Sequence, residues 1–330
     1  MKCDNSFYFN SIKRHLTSHY SLERENFSLY DIMVLKRFIN FIQPHLIFSF
    51  STTLSHYSLF LKLLRGFHFR LINGSIRGAP VNLNFQMKFE KMMYNFYDEI
   101  VSNSKAGLKA YRQWGKKGRY ILYNGYNNGR LPMKSKIELR HQLGIDNKFT
   151  VAMVASMGES KDQTTLIKAA AIVLGIKDDI QIFLIGDGPK KPEYLALVSS
   201  LGFENRIFFT GEVNYPEHYL RASNLSVLMS TNAEGFPNVV LESLACGTPV
   251  IANREGGTKE IITDGLNGYL IPRGNYTALA NKIIFLKESN NAIERCSRNG
   301  LSAVKERFDV GKMIFSFERI LKNGVGNRYK

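Results

Sequence analysis

The chain has 330 residues, 44% hydrophobic and 22% charged, which is more than one ordinary core organises and has the balance of a globular protein. A small motif-only binding module, wholesale disorder and collagen-like or coiled-coil character are excluded. The formal charge of +16 is uneven: residues 1–130 hold 19 of the 44 Lys and Arg, 7 of the 28 Asp and Glu, and 24 of the 40 aromatics. A basic, aromatic-rich stretch of this kind fits an anionic membrane surface or nucleic acid and does not choose between them.

Cys3, Cys246 and Cys296 are widely spaced, so neither a disulfide framework nor a zinc site is expected. The first residues contain no apolar core of a secretory signal, and a cytoplasmic location follows as the expectation. Residues 46–64 come nearest to a membrane span. Ser49, Ser51, Thr52, Thr53, Ser55, His56, Ser58 and Lys62 interrupt them, too many polar groups for hydrocarbon.

In chain order, Ile32, Leu35, Phe38, Ile39 and Ile42 recur at helical steps before Pro44 and predict a helix over 32–42. Then follow a strand at 46–50, a helix at 58–64, a strand at 67–72, a helix at 85–96, a strand at 100–102, a helix at 105–114 and a strand at 120–122. The turn cluster at 124–129 marks a domain junction. Beyond it strands are predicted at 149–155, 180–185, 207–209, 225–229, 250–252 and 269–271. Helices are predicted at 164–174, 192–201, 237–245 and 277–286, with a charged helical tail over 292–322. Short strands alternating with helices give an α/β fold built of right-handed βαβ units in parallel sheets.

The stretch from Glu234 to Val250 is the richest in chemistry. Pro237 and Gly247 suit the two ends of a helix. Asn238 and Glu242 share one face, and Val240 and Leu244 share the opposite one. Free N–H groups of Phe236, Asn238 and Val239 would lie at the positive end of the helix dipole, where phosphate or sugar oxygens bind. Glu242, one turn further in, could accept two ribose hydroxyls. The plain alternative is a solvent-facing helix with two surface glutamates.

Glu234-Gly235-Phe236-Pro237-Asn238, then Glu242, then Ala245-Cys246-Gly247-Thr248-Pro249-Val250-Ile251-Ala252 resembles the E-x7-E signature of retaining glycosyltransferases of family 4. Further segments occur in the family's order: 121–125, 161–169, 185–189, 209–211, 256–261 and 264–268. The resemblance covers most of 123–317 and implies the GT-B fold, two Rossmann-like domains with parallel sheets facing a cleft. It divides the chain into an abbreviated acceptor-side domain (1–127), a nucleotide-sugar donor-binding domain (128–290) and a helical segment (291–330) packing back toward the first domain.

Residue by residue, the resemblance makes Glu242 the ribose ligand and puts Glu234, with the backbone of Gly235, Phe236 and Asn238, around the donor sugar, with Val239 a further donor-binding position. Lys161 would meet the donor diphosphate, with Ser156 where the family usually has an arginine. Gly186 is a further donor-binding position, and the loop of Gly211 and Val213 would face the base. Such backbone contacts leave little trace in side chains; a UDP-sugar is favoured over a GDP-sugar. No Asp-x-Asp occurs, so no metal held by paired aspartates is expected and no cofactor beyond the donor. Arg77 and Ser75 are acceptor-side candidates, and Ser102 and Ser104 could simply cap a helix. Only about 27 residues without a glycine precede the first matched helix, so the family's glycine-rich acceptor loop is expected to be missing or replaced.

The function these residues imply is a metal-independent hexosyl- or N-acetylhexosaminyltransferase that extends a lipid-linked bacterial surface polysaccharide, lipopolysaccharide or capsule. The basic first part would hold it on the inner face of the cell membrane. The alternative is a non-catalytic nucleotide-sugar-binding subunit or remnant. Nucleic-acid binding ranks last, for want of any recognised motif.

Overall fold

A computed structural model describes residues 29–64 and 67–322. The expectations for 1–28, including Cys3, and for 323–330 lie outside the described residues. Two compact units divide the chain. One takes in the described residues up to Ser75 together with Met93–Ile100. The other comprises Ile76–Met92 and the described residues from Val101 onward.

The larger unit is built on a six-stranded parallel sheet of β5 (Phe149–Val154), β6 (Ile180–Ile185), β7 (Ile207–Gly211), β8 (Leu225–Leu228), β9 (Val250–Asn253) and β10 (Tyr269–Ile271). Their order is β10-β9-β8-β5-β6-β7. Every residue of β6, β8, β9 and β10 is buried, as expected of strands covered on both faces by helices. Leu166, Ala170 and Val173, from the helix Gln163–Leu174, and Leu279 and Ile283, from Tyr276–Glu288, enter the core on one face. Val240, Leu244 and Phe308 do so on the other. The chain runs outward from β5 to β7 and then returns to β5's other side as β8. That reversal opens a crevice at the carboxyl ends of β5 and β8, the place where open α/β sheets bind ligands.

A second sheet has the order β1-β2-β3-β4 (Leu46–Ser49, Arg70–Ile76, Glu99–Ser102, Arg119–Ile121). β1 and β2 run parallel, with Leu46 opposite Arg70 and Ser49 opposite Asn73. In the smaller unit the helices Leu29–Ile42 and Thr52–Leu63 accompany these strands. Asp98 accepts from Leu71 N at 2.7 Å and pairs with Lys62.

Several expected boundaries move for identifiable reasons. The helix expected over 105–114 stops at Ala110, because Gln113 N and Trp114 N both turn back to Leu108 O and Arg112 adopts φ 55°. The tail expected as one helix breaks into Asn290–Arg307 and Val310–Lys322. At the break Tyr126 N donates to Phe308 O and Val310 N to Tyr126 O. The ring of Phe308 is buried against Tyr123 and Phe236. The strand expected at 67–72 is shifted to Arg70–Ile76, in register with β1. Among the described residues three helices were not anticipated, Lys136–Gln142, Pro216–Ala222 and the single turn Thr258–Ile261.

Candidate active site

The loops after β5 and β8 are fastened together by backbone. Asp162 N donates to Met229 O at 3.0 Å and Thr231 N to Ser160 O at 3.2 Å. Asp162 caps the helix Gln163–Leu174 by accepting from Thr165 N. Lys161 is thereby set at the carboxyl end of the sheet, its Nζ donating to Glu234 Oε1 at 2.5 Å. Ser230 Oγ donates to the same oxygen. Neither member of the pair is closed off, the side chains being 19% and 24% exposed, so incoming oxygens can reach both.

Glu234 and Gly235 lie between two other stretches of backbone. Ala79 N donates to Ala233 O at 3.2 Å on one side, and Gly257 N to Glu234 O at 2.9 Å on the other. A Cβ on Gly235 would stand 2.1 Å from Arg77 O, and one on Gly257 would stand 1.5 Å from Gly235 O. Only glycine fits at either position. A small cavity beside Glu234 is lined by Ser230, Asn232, Asn253, Glu255 and Thr258. Asn253 Nδ2 and Glu255 Oε2 are buried there without hydrogen-bond partners among the described residues.

The helix Asn238–Ala245 starts one residue later than expected, with Pro237 as its cap, and ends before Gly247, whose φ is 74°. Val240 and Leu244 are buried and Asn238 is exposed, the expected division of faces. Asn124 Nδ2 donates to both Phe236 O and Asn238 Oδ1, at 3.2 and 2.7 Å, and so holds the loop that carries Gly235 and Phe236. Glu242 is partly buried, and that burial raises its pKa above the usual carboxylate range. Arg130 counteracts the shift and Glu217 reinforces it.

A cavity of about 270 Å³ opens at the ends of β5, β6 and β7, lined by Val154, Ala155, Ser156, Ile185, Gly186, Asp187, Glu212, Val213 and Pro216. Gly186 N donates to Gly211 O at 2.9 Å. With φ 133°, a Cβ on Gly186 would lie 2.2 Å from Ala155 O, so the β6 loop can fold against the β5 loop only as glycine. Gly186, Val213 and Ser156 thus share one cavity, with Gly211 bridged to Gly186.

Arg77 contributes its backbone to this region, and its side chain is exposed. The Ser75 hydroxyl donates to Asn73 Oδ1 at 2.7 Å. Ser104 caps Lys105–Ala110 by accepting from Gly107 N, and Ser102 Oγ donates to Ile76 O; both are structural. Ser230, Asn253 and Asn124 were not singled out in the sequence, although a polar residue at the end of a buried parallel strand was the signal for the first two. Among the described residues no group of three His, Cys, Asp or Glu could hold a metal ion, and no helix is long and apolar enough to cross a membrane.

Two parallel sheets with helices on their faces, and loops converging at the carboxyl ends of the six-stranded one, define the GT-B fold. The same architecture occurs in HepE from Anabaena, solved in complex with UDP-glucose. The TM-score is 0.83 at 24% identity, over 96% of this chain and 89% of that one. Residues 135–302 match the model of glycosyl transferases group 1, and the chain belongs to that family. Among curated relatives, N-acetyl-alpha-D-glucosaminyl L-malate synthase of Bacillus anthracis is 30% identical over 56% of this chain and 48% of its own length. N-acetylgalactosamine-N,N'-diacetylbacillosaminyl-diphospho-undecaprenol 4-alpha-N-acetylgalactosaminyltransferase of Campylobacter jejuni is 26% identical over 67% of this chain and 59% of its own. The chain therefore spans about half to three fifths of the length of the curated relatives it matches.

Proposed function

We propose that the chain is a retaining glycosyltransferase that works without a bound metal, taking a hexosyl or N-acetylhexosaminyl group from a UDP-sugar. The observation that carries this reading is the convergence of Lys161, Ser230 and Glu234 at the mouth of a crevice that also holds the Gly186–Val213 cavity. The cavity would take the base, Glu242 the ribose, Lys161 the diphosphate, and Glu234 with Gly235 and Phe236 the sugar. The C1–O bond to the diphosphate breaks as an acceptor hydroxyl attacks the same face of the ring. The hydroxyl proton passes to the departing phosphate, whose growing charge Lys161 offsets. Solved relatives in complex with UDP or UDP-glucose support uridine as the base.

The acceptor is proposed to be a lipid-linked glycan. The Campylobacter relative named for a diphospho-undecaprenol acceptor supports this, as does the excess of Lys and Arg in residues 1–130. Residues 1–127 would serve the acceptor, residues 128–290 the donor, and 291–330 would return toward the first of these.

The test incubates the full chain with UDP-glucose or UDP-N-acetylglucosamine, EDTA and a lipid-linked glycan extract, and follows UDP release and the anomeric configuration of the product by NMR. A product with the donor's configuration is expected. An inverted product, or transfer that EDTA abolishes and a divalent cation restores, would overturn the reading. Flotation with anionic and neutral vesicles tests the membrane surface, and equal binding to both would count against it.

A further inference from the structure

The cluster behind Glu242 has no part in the reading so far, and its geometry is unusual. Glu217, on the helix Pro216–Ala222, has a side chain only 2% exposed, and Arg130 Nη2 lies 2.6 Å from its Oε1, an ion pair held by charge and not by an aligned hydrogen bond. The other arm of the same guanidinium, Nη1, is 3.7 Å from Glu242 Oε1. Arg130 sits at the end of the short turn Asn128–Arg130, which Asn127 caps by accepting from Gly129 N. One cation therefore stands between two carboxylates from two different helices, close to one and at arm's length from the other.

We propose that Arg130 is the positioning residue for donor binding: anchored on the buried Glu217, it balances the charge of the Glu242 carboxylate without using up the oxygens that accept the ribose hydroxyls. This role rests on the donor reading given above. A separation of 3.7 Å is too long for a hydrogen bond and short enough for Coulomb attraction in a partly buried site. Arg130 approaches Glu242 no closer than 3.7 Å, so it leaves the acceptor capacity of both carboxylate oxygens in place. The buried Tyr126 hydroxyl also lies in this cluster, and it has no hydrogen-bond partner among the described residues. It is a neutral neighbour that cannot replace Arg130's charge.

The arrangement has a consequence in pH. Glu242 is faced by Arg130 from the turn, Glu217 from the neighbouring helix and Tyr126 from the segment before the turn, with Cys246 one turn further along its own helix. Of these, Arg130 alone favours the ionised form. Without it, burial and the Glu217 charge act unopposed, and Glu242 holds its proton to higher pH. A protonated carboxyl has lost acceptor capacity, so UDP affinity should fall at neutral pH and recover as pH rises.

The experiment measures UDP binding to the full chain by calorimetry from pH 6 to 8.5, for the unmodified protein, Arg130→Met and Arg130→Lys, alongside circular dichroism and melting temperature. The unmodified chain should bind with little dependence on pH. Arg130→Met should bind about tenfold more weakly near pH 6.5 and regain most of the loss by pH 8.5, one unit of pKa shift being tenfold in protonation. Arg130→Lys keeps the charge but loses the fork, so it should weaken binding by a smaller, pH-independent factor. It also keeps the test open if Arg130→Met does not fold. UDP binding by folded Arg130→Met equal to that of the unmodified chain, or a uniform loss across pH in a folded variant, overturns the role. If Arg130→Met does not fold, an Arg130→Lys whose binding varies with pH as steeply as protonation of Glu242 requires also overturns it. An unmodified chain that binds no UDP overturns the donor reading itself and the role with it.

Discussion

Each compact unit contains an ion pair at 2.5 Å, and the two pairs differ in what they leave available. In the smaller unit Arg70 places Nε and Nη2 on the two oxygens of Glu99, at 3.0 and 2.5 Å, with both side chains 13% exposed. That fork uses both carboxylate oxygens and joins the ends of neighbouring strands, as a structural clamp should. In the larger unit Lys161 reaches one oxygen of Glu234 and shares it with Ser230, and Glu234 lines a small cavity. Equal distances thus describe a closed pair and an open one, and only the open one has capacity left for a ligand.

The sharpest way to break this comparison is to remove one acid from each pair. Glu234→Ala should lower kcat by about 10²-fold with a much smaller change in KM, as for a group that acts on the reacting sugar. Glu99→Ala should leave kcat within twofold and lower unfolding free energy by about 2 kcal/mol, the loss of charged hydrogen bonds at a half-closed site. Steady-state kinetics and urea unfolding of both variants decide the matter. A kcat loss in Glu99→Ala as large as in Glu234→Ala would mean that the two pairs are not distinct in function.

A second contrast concerns how closely the chain is packed. Gly257 meets the backbone oxygen of Gly235, which cannot swing away. Gly74, in the smaller unit, would place its Cβ 2.6 Å from Phe48 Cε1 and 3.3 Å from Phe50 Cδ1, ring atoms that can rotate. Gly257→Ala should therefore destabilise by about 3 kcal/mol and Gly74→Ala by about 1 kcal/mol or less, read from unfolding midpoints. The reverse order would show that the site backbone yields more readily than the rings.

Glu260 gives a smaller effect within the larger unit. Its carboxylate accepts from Lys105 N and Ala106 N at 2.9 and 2.8 Å, and from the Tyr123 hydroxyl at 2.9 Å. Burial, and then this hydrogen bond, push the Tyr123 hydroxyl up to about 12. Glu260→Ala leaves three donors without that acceptor and should cost about 2 kcal/mol, with Glu260→Gln recovering roughly half. Equal stability of all three chains would mean that water replaces the carboxylate without loss.

These contrasts also explain what was legible in the sequence. The six-stranded sheet was readable strand by strand, because strands covered on both faces are nearly pure apolar runs, as in Ile180–Ile185. Gly186 and Gly235 were named only through the resemblance, and Gly257 only lies in a matched segment; that close approach of backbone to backbone demands glycine at all three is visible in the folded chain alone. The helix Lys136–Gln142 was missed although Ser135 and Glu138 form a capping box, a signal present in four residues. Arg130 was not legible at all. Its role depends on Glu217, 87 residues later, and on Glu242, and nothing local marks a side chain that is placed by tertiary structure alone. Single apolar residues in the smaller unit, such as Phe38 at 39% and Ile42 at 44% exposed, follow the helical period without reporting burial.

The smallest effect expected is the one that separates binding from stability at Glu242. Its pKa is raised in the folded chain, chiefly by burial and against the pull of Arg130. A carboxyl that holds its proton more tightly when folded stabilises the fold at low pH. That contribution begins to fade as pH passes the unfolded value and is gone once pH exceeds the raised one. Glu242→Gln removes the titration and keeps the shape. The variant should match the unmodified chain near pH 4 and melt about 1–3 °C higher at pH 8, while binding UDP more weakly than the unmodified chain at pH 8. The two readouts move in opposite directions only if the charge on Glu242 is kept for a ligand at some expense to the fold. A variant that is less stable at pH 8 would make Glu242 a structural partner of Arg130, as Glu99 is of Arg70, and the open and closed sites would no longer differ in kind.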